Sequence, residues 1–345
     1  MKFSNLLILW YLQNKRDLPW RETINPYKIW LSEIILQQTR VDQGMSYYYK
    51  FVEKYPTVEA LAKASEEAIL KDWQGLGYYS RARNLHFSAK HIVNKLKGEF
   101  PTTYSEIIKL KGVGDYTASA IASISFHEPT AVVDGNVYRV LSRYFGISTP
   151  INSSQGIKEF KAKAQQLIDE EQPGIFNQAV MEFGARQCKP QSPNCSDCVL
   201  NKECVALITN NIKNLPVKEK KLKIRKRYFN YLVFKTPSNK TILEKRTSGI
   251  WKNMYQFPLI ECDKELSRNE LLKNELFTPY SNGLLSIQLF NSKTIIHKLS
   301  HQHIFTKFWI VEVDAINDID LDWKELAKYP VSKLIDNFLT EYNDN

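Results

Sequence analysis

Apolar residues recur at helical spacing over most of the first 205 residues of the chain. The periodic stretches are 27–38, 45–54, 59–73, 79–97, 103–110, 115–126, 135–145, 156–171 and 176–186. Glycines separate some of them, as at Gly75–Gly77 and Gly112–Gly114. Because apolar positions three or four apart form one face of a helix, this pattern predicts a helical domain with short connections.

The pattern changes to alternation after residue 227. Segments 228–235, 241–244 and 308–313 have the short apolar or alternating character of strands. Before them, residues 213–227 hold eight lysine or arginine residues and one glutamate. Such a run is typical of a solvated linker, and it can also contact DNA phosphates. The chain is therefore predicted to contain a mainly α domain over 1–207, a basic linker over 208–227 and an α+β domain over 228–345.

Composition and charge narrow the classes of function. A chain of 345 residues, 43% of them hydrophobic, can bury a core, and it is neither collagen-like nor disordered. Its net charge of +10 favours a polyanionic partner. The N-terminal apolar run Leu6–Trp10 is short, which predicts an amphipathic helix instead of a signal peptide. With no apolar run of 18 residues, we expect no membrane partner and a cytoplasmic, nucleoid-associated protein.

Four of the five cysteines are clustered within 17 residues, at Cys188, Cys195, Cys198 and Cys204. Disulfide frameworks usually spread their cysteines through short secreted chains, so this cluster indicates metal ligation in a reducing compartment. On spacing alone a [4Fe–4S] cluster is favoured. Zinc and uncoordinated thiols remain alternatives, since structural zinc usually has two C-x-x-C pairs and only one is present. Cys262 is expected to be an ordinary thiol.

Two glycines, Gly112 and Gly114, lie between the predicted helices 103–110 and 115–126. Glycine lets the backbone turn tightly and approach a ligand closely, and free N–H groups at a helix start suit a phosphate. The segment could therefore bind a phosphate group. A plain turn between two helices is the alternative.

Two carboxylates occupy different predicted environments. Glu33 lies among the apolar residues of 27–38, where partial desolvation would raise its pKa and keep a proton available. Asp134 precedes the predicted helix 135–145 as its N-cap, where the helix dipole favours the ionised form. A proton donor facing a fixed anion is what cleavage of an N-glycosidic bond requires. The alternative is an exposed helix residue and a purely structural cap.

Several strings together resemble the MutY-type adenine DNA glycosylases of the endonuclease III superfamily. They are Leu18–Arg21, Trp30–Thr39, Gly75–Leu85, Leu110–Ala118, Val133–Val137 and Asn177–Gly184. The cysteine spacing is similar to the iron–sulfur loop of the same superfamily. The resemblance implies a helix-hairpin-helix glycosylase domain, one [4Fe–4S] cluster on the four cysteines, and a MutT/Nudix-like C-terminal domain that recognises 8-oxoguanine.

The resemblance also implies a role for each matching residue. Glu33 would protonate adenine N7, and Asp134 would stabilise the oxocarbenium ion of the sugar. A flipped-out adenine is implied, since a stacked base cannot reach the acid. The other implied positions are Trp20, Arg21 and Glu182 in the adenine pocket, Tyr116 and Asn136 beside the sugar and nucleophile, Gln38, Thr39 and Tyr78 within the duplex at the orphaned base, Gly112 and Gly114 at a phosphate, and Ser300 and His301 at the oxidised guanine.

Departures from related patterns refine this expectation. Tyr116 stands where bifunctional relatives carry a Schiff-base lysine, which predicts base release without efficient strand cleavage. Leu299 replaces the aromatic residue of the family's lesion loop. No glutamate-rich Nudix box follows Gly249, so we expect recognition without nucleotide hydrolysis. The expected partner is duplex DNA with adenine opposite 8-oxoguanine or guanine, bound by a monomer.

Two rival functions stay open from the sequence alone. The enzyme rival is an endonuclease III-like glycosylase and lyase acting on oxidised pyrimidines. The missing lysine and the additional C-terminal domain argue against it. The other rival is a DNA-binding protein that keeps the scaffold without activity, and the presence of both Glu33 and Asp134 argues against that.

Overall fold

The computed structural model describes residues 2–219, 224–280, 283–314 and 321–344. Part of the predicted basic linker, 220–223, lies outside these ranges. The chain forms two compact units, Met1–Lys63 with Asn84–Lys220 and Ala64–Arg83 with Lys221–Asn345. A stretch from inside the predicted helical domain is thus part of the C-terminal unit. The boundaries at 207 and 228 stay a prediction.

The periodicity correctly predicts a helical N-terminal region. Its helices are α1 (Phe3–Asn14), α2 (Pro26–Leu36), α3 (Val41–Lys54), α4 (Val58–Lys63), α5 (Glu66–Asp72), α6 (Ser80–Lys95), α7 (Tyr104–Ile107), α8 (Asp115–Phe126), α9 (Gly135–Phe145), α10 (Ser154–Leu167), α11 (Pro173–Arg186) and α12 (Val205–Ile208). Short 3₁₀ turns lie at Pro19–Arg21, Asn201–Glu203 and Ile212–Asn214. No helix in the described part of the chain is long and apolar enough to span a bilayer.

Two of the predicted helices differ in the structure. The stretch 59–73 is divided into α4 and α5, because Ser65 starts a new helix by accepting a hydrogen bond from Ala68 N at 3.1 Å. The stretch 103–110 is helical only over α7. Beyond it, Leu110 N donates to Ile107 O in the tighter three-residue spacing that leads into the glycine turn.

Helix α2 holds Glu33 inside the first unit. Asn25 caps the helix by accepting a hydrogen bond from Lys28 N at 3.1 Å, and Pro26 occupies the first turn, where its missing N–H has no cost. Trp30 and Leu31 are fully buried. Burial of these large apolar side chains fixes the helix, and with it the side of α2 that carries the carboxyl group.

Asn177 on α11 fixes the extended segment that leads to α9. Its Oδ1 accepts from Val132 N at 3.1 Å, and its Nδ2 donates to Thr130 O and to Ser123 Oγ, each at 2.8 Å. The side chain is fully buried. Since α9 begins directly after this segment, Asn177 helps to determine where Asp134 lies.

The second unit is built around a sheet, as the alternation predicts. Its strands are β1 (Arg225–Lys235), β2 (Lys240–Thr241), β3 (Glu244–Lys245), β4 (Tyr255–Gln256), β5 (Leu259–Cys262), β6 (Leu284–Leu289), β7 (Ile295–Lys298), β8 (Gln302–Val313) and β9 (Leu321–Asp322). Among the described strands, the main sheet has the order β5–β1–β8–β6, and β7 also pairs with β8. The predicted strand 241–244 is reduced to parts of β2 and β3.

Both faces of the main sheet are covered. The central strands β1 and β8 are parallel, with Arg225 opposite Gln302 and Lys235 opposite Glu312. One face packs its apolar residues against α13 (Arg268–Leu272). On the other, Phe308 stacks on Phe338 of α14 (Lys333–Asp344), with ring centroids 4.1 Å apart. Parallel central strands generally need this two-sided cover.

Replacing Asn177 by alanine should lower the free energy of unfolding by about 2–4 kcal/mol, because Val132 N, Thr130 O and Ser123 Oγ each lose a hydrogen bond. The measurement is urea denaturation followed by circular dichroism. Asn5→Ala is the matched control: this asparagine is exposed on α1 and should change stability by less than about 0.5 kcal/mol. Equal, small effects of the two substitutions would contradict the role of Asn177 in fixing the segment before α9.

Candidate active site

A cavity of about 530 Å³ opens in the first unit beside α2, α8, α9 and α11. It brings together all seven residues that the sequence predicts for catalysis and adenine binding, and two of those predicted at the orphaned base. These residues are Trp20, Arg21, Glu33, Gln38, Thr39, Tyr116, Asp134, Asn136 and Glu182. Positions as far apart in the chain as Trp20 and Glu182 therefore meet around one space large enough for a purine base.

The carboxyl group of Glu33 has a raised pKa. Burial raises its pKa, a hydrogen bond with the Tyr116 hydroxyl opposes this, and the charge of Asp134 raises it further, to about 7. The same hydroxyl lies 3.1 Å from Met181 Sδ, which is the alternative acceptor for its single proton. Burial raises the pKa of Tyr116 well above its ordinary value, so it stays protonated. These surroundings of Glu33 fit the expectation of a partly desolvated acid on α2.

Asp134 caps α9, as the sequence predicts. Its Oδ1 accepts from Asn136 N at 2.9 Å and Val137 N at 2.8 Å, while Oδ2 accepts from Asn136 Nδ2 at 2.8 Å. The capping hydrogen bonds favour the ionised form and lower the pKa of Asp134, as the N-cap position predicts. Burial has the larger effect, so the net shift of the pKa is upward from its ordinary value.

Glu182 organises two arginines at the wall of the cavity. Both Arg16 and Arg21 donate to Oε2, at 2.6 and 2.8 Å, and Arg16 Nε donates to Oε1 at 2.8 Å. Burial alone would raise the pKa of Glu182, but these hydrogen bonds lower it to about 2. Glu182 is therefore an anion that orients both guanidinium groups.

Arg16 is a candidate functional residue that the sequence did not reveal. It lines the cavity and is paired with a carboxylate 166 positions away. No local pattern marks it, since the partner is set by the packing of distant helices. Its position just before the string Leu18–Arg21 is the one signal that could have drawn attention to it.

The two glycines of the hairpin are not equivalent. Gly112 has φ of 84°, and a Cβ there would lie 2.6 Å from Asn84 Cβ. Gly114 precedes α8 with φ of −98°, and a Cβ there would meet nothing within 4 Å. No side chain caps this helix start in the described residues. Gly112 thus makes the turn possible, and Gly114 leaves the N-terminus of α8 accessible to a ligand such as phosphate.

The four clustered cysteines line one small cavity, of about 30 Å³, together with Arg143. Arg143 Nη1 lies 3.4 Å from Cys188 Sγ. Within the described ranges, no group of three or more His, Cys, Asp or Glu side chains is arranged to hold a metal ion. The thiols have the ligand chemistry of an iron–sulfur cluster. Burial raises the pKa of Cys198 to about 11, so a metal centre is what would keep it a thiolate.

The residues expected at the orphaned base are divided between the units. Gln38 and Thr39 lie in the first unit, where they line the catalytic cavity. Tyr78, Ser300 and His301 lie in the second.

Ser300 and His301 form the exposed turn between β7 and β8, and Ser300 Oγ lies 2.5 Å from Tyr78 OH. Leu299, in the place of the expected aromatic residue, is half-buried, and its N–H donates to Gln302 O at 2.8 Å.

Comparison with known proteins identifies the family. The HhH-GPD superfamily base excision DNA repair protein profile matches residues 31–168, and the NUDIX domain profile matches residues 230–341. An adenine DNA glycosylase of Buchnera aphidicola subsp. Baizongia pistaciae is 35% identical, covering 90% of this chain and 86% of its own length. This chain belongs to the adenine DNA glycosylase family. The mouse enzyme, 32% identical, covers 99% of this glycosylase and 78% of its own length.

Solved structures agree with this fold for the helical part. A thermostable thymine-DNA glycosylase matches 60% of this chain and 95% of its own, with a TM-score of 0.56 and 33% identity. An endonuclease III trapped as a covalent intermediate with DNA also matches 60% of this chain, and 94% of its own, with a TM-score of 0.52 and 25% identity. The predicted combination of a helix-hairpin-helix glycosylase domain and a Nudix-like domain is confirmed. This glycosylase is a DNA-binding N-glycosylase of base excision repair.

Gly112→Ala should lower the free energy of unfolding by about 1–3 kcal/mol, because alanine is strained at positive φ and its Cβ would collide with Asn84. Gly114→Ala, two residues away, is the matched control and should change it little. Thermal and urea denaturation of both variants would measure the difference. If Gly114→Ala is the more destabilised of the two, the assignment of the turn to Gly112 is wrong.

Proposed function

We propose that this glycosylase releases adenine that is paired with 8-oxoguanine or guanine in duplex DNA, as a monomer and without cleaving the strand. The observation that carries the proposal is the cavity shared by Glu33 and Asp134. Glu33 holds a proton near pH 7, and Asp134 is fixed in place as the N-cap of α9.

Glu33 and Asp134 divide the chemistry between them. Glu33 donates its proton to adenine N7, which makes the base a better leaving group, and the bond from N9 to sugar C1′ then breaks. Asp134, held by Asn136, stabilises the positive charge that develops on the sugar. Water adds to C1′ and gives up one proton to the Glu33 carboxylate formed in the first step, which leaves an abasic site and restores the acid. Tyr116, in hydrogen-bond contact with Glu33, keeps the acid oriented.

The adenine pocket supports a flipped-out purine. Trp20 is a large apolar wall, and Arg16 and Arg21 present N–H donors that Glu182 orients. These donors match the ring nitrogens of adenine, which accept hydrogen bonds. Because the acid lies inside the cavity, the base must leave the stack to reach it.

The duplex is bound mainly through its phosphates. A net charge of +10 supports binding that weakens with salt, and the start of α8 behind Gly114 is proposed to bind one phosphate. Gln38 follows α2 with φ of 57° and is exposed, so this turn projects side chains at the mouth of the cavity. We assign Gln38 and Thr39 to the space that the flipped adenine vacates.

Recognition of the base opposite adenine is assigned to the second unit. Tyr78, Ser300 and His301 carry hydroxyl and imidazole groups on an exposed part of its surface. Such groups can hydrogen-bond the carbonyl and N–H that oxidation adds to guanine. The Nudix-like domain thus serves as a reader of the lesion and not as a hydrolase.

The cysteine loop is proposed to hold one [4Fe–4S] cluster. Cys188, Cys195, Cys198 and Cys204 would be its ligands, with Arg143 close to the first of them. Bound to all four thiolates, the cluster would crosslink the loop.

The decisive experiment uses three duplexes, with adenine opposite 8-oxoguanine, adenine opposite guanine, and an oxidised pyrimidine. Free base and strand breaks are scored separately. We expect adenine release from the first two, fastest from the 8-oxoguanine duplex, and none from the third. Release of the oxidised pyrimidine instead of adenine would overturn the proposal.

The pH dependence follows from Glu33. Because the acid form is required and the pKa is about 7, the single-turnover rate should fall as the pH rises through 7, approaching tenfold per unit above it. Glu33→Gln should reduce the rate by about 100-fold or more and remove this pH dependence. Glu170→Gln, an exposed control in the same unit, should behave as the wild type. An unchanged rate in Glu33→Gln would refute the acid role.

The absence of a lysine at Tyr116 predicts no Schiff base with the abasic sugar. Borohydride added during the reaction should trap little or no protein on DNA, whereas Tyr116→Lys should increase the trapped fraction. Gel electrophoresis of labelled duplex measures both. Efficient trapping of the wild type would show a lyase and contradict a monofunctional mechanism.

A further inference from the structure

The segment Ala64–Arg83 is joined to the C-terminal fold by polar contacts along its length. Asn253 Nδ2 donates to Glu66 Oε1. Tyr255 OH donates to Glu67 Oε2 at 2.9 Å. At the far end, Arg83 Nη1 donates to Lys252 O at 3.0 Å. The segment is therefore a structural part of the second unit, although its sequence lies within the helical region.

Gln74 is the centre of this connection. Its Nε2 donates to Asp336 Oδ1 at 2.8 Å, and its Oε1 accepts from Val331 N at 3.2 Å and from Lys71 Nζ at 3.2 Å. One amide thus joins the end of α5 to the backbone before α14 and to a carboxylate on it. An amide can do both because it carries a donor and an acceptor.

The loop that follows Gln74 is rigidly built. Gly75 and Gly77 have φ of 95° and 76°, and Tyr78 also lies in the left-handed region, at 45°. Trp73 Nε1 donates to Gly77 O at 3.1 Å, and Arg81 Nη2 donates to the same oxygen at 3.2 Å. Hydrogen bonds from both sides, from Trp73 and Arg81, thus hold the backbone between Gln74 and Tyr78.

Tyr78 meets the lesion-side turn at the end of this loop. Its hydroxyl lies 2.5 Å from Ser300 Oγ, and both residues are exposed. Two parts of the chain 222 positions apart therefore present hydroxyl groups at one place on the surface.

We propose that Gln74 is a positioning residue that determines specificity. By anchoring the loop 75–78 to the C-terminal fold, it holds Tyr78 and Ser300 together as one surface that distinguishes 8-oxoguanine from guanine. This inference rests on the proposed function for the role of that surface. Gln74 itself touches no DNA. It acts through Tyr78.

The test exchanges the donor and acceptor at this contact. Q74E places a second carboxylate against Asp336, and Lys71 and Lys333, which also contact these groups, offset only part of the repulsion. D336N alone keeps an acceptor for Gln74 and is expected to be mild. The double variant Q74E/D336N restores a hydrogen bond with the direction reversed. Q288E adds the same charge at an exposed position of β6 and is the matched control.

The first measurement is hydrogen exchange of the amides of 75–79 in the full-length free protein. We expect faster exchange in Q74E and rates like those of the wild type in Q74E/D336N and Q288E. This result does not depend on DNA. Unchanged exchange in Q74E would overturn the anchoring role, whatever the substrate of the enzyme proves to be.

The second measurement is the ratio of single-turnover rates for adenine opposite 8-oxoguanine and opposite guanine. Q74E should reduce this ratio about tenfold, the double variant should restore it to within about twofold, and Q288E should not change it. Faster exchange with an unchanged ratio would overturn the specificity role. A wild type that does not discriminate between the two duplexes would refute the proposed lesion reading itself, while the exchange result would still decide the anchoring.

Discussion

Burial of one carboxyl group beside another governs the active site. Glu33 cannot lose its proton easily, because its charge would be poorly solvated and would face Asp134. Burying this carboxyl group costs folding free energy. Apolar packing elsewhere on α2, where Trp30 and Leu31 are fully buried, offsets that cost. A carboxyl group kept protonated in this way is ready to act on a base of low basicity.

The second carboxylate depends on structure at longer range. Asp134 is placed by the start of α9, and the segment before that helix is held by Asn177 from α11. The two acids therefore rest on different helices, and their separation is set by how α2, α8, α9 and α11 pack. The same packing sets the distance from Glu33 to the arginines that Glu182 orients.

Local patterns predicted much of this molecule. The helices, the cap at Asp134 and the turn at Gly112 follow from residues close in sequence, where propensity and backbone geometry decide. Features that depend on distant partners were not predictable. Arg16 has a partner that only tertiary packing supplies, and Gln74 is bonded to the region before and within α14. The net direction of the Asp134 pKa shift could not be predicted, because the cap is local, whereas desolvation comes from the surrounding fold.

Because Ala64–Arg83 belongs to the second unit, the two units are not two consecutive pieces of the chain. A cut in the basic linker separates the segments that the two family profiles match, 31–168 and 230–341. It would also divide one compact unit, since α5 and its contacts with Asn253 and Tyr255 would remain on the other fragment. Neither fragment of such a cut would therefore contain the whole of the second unit.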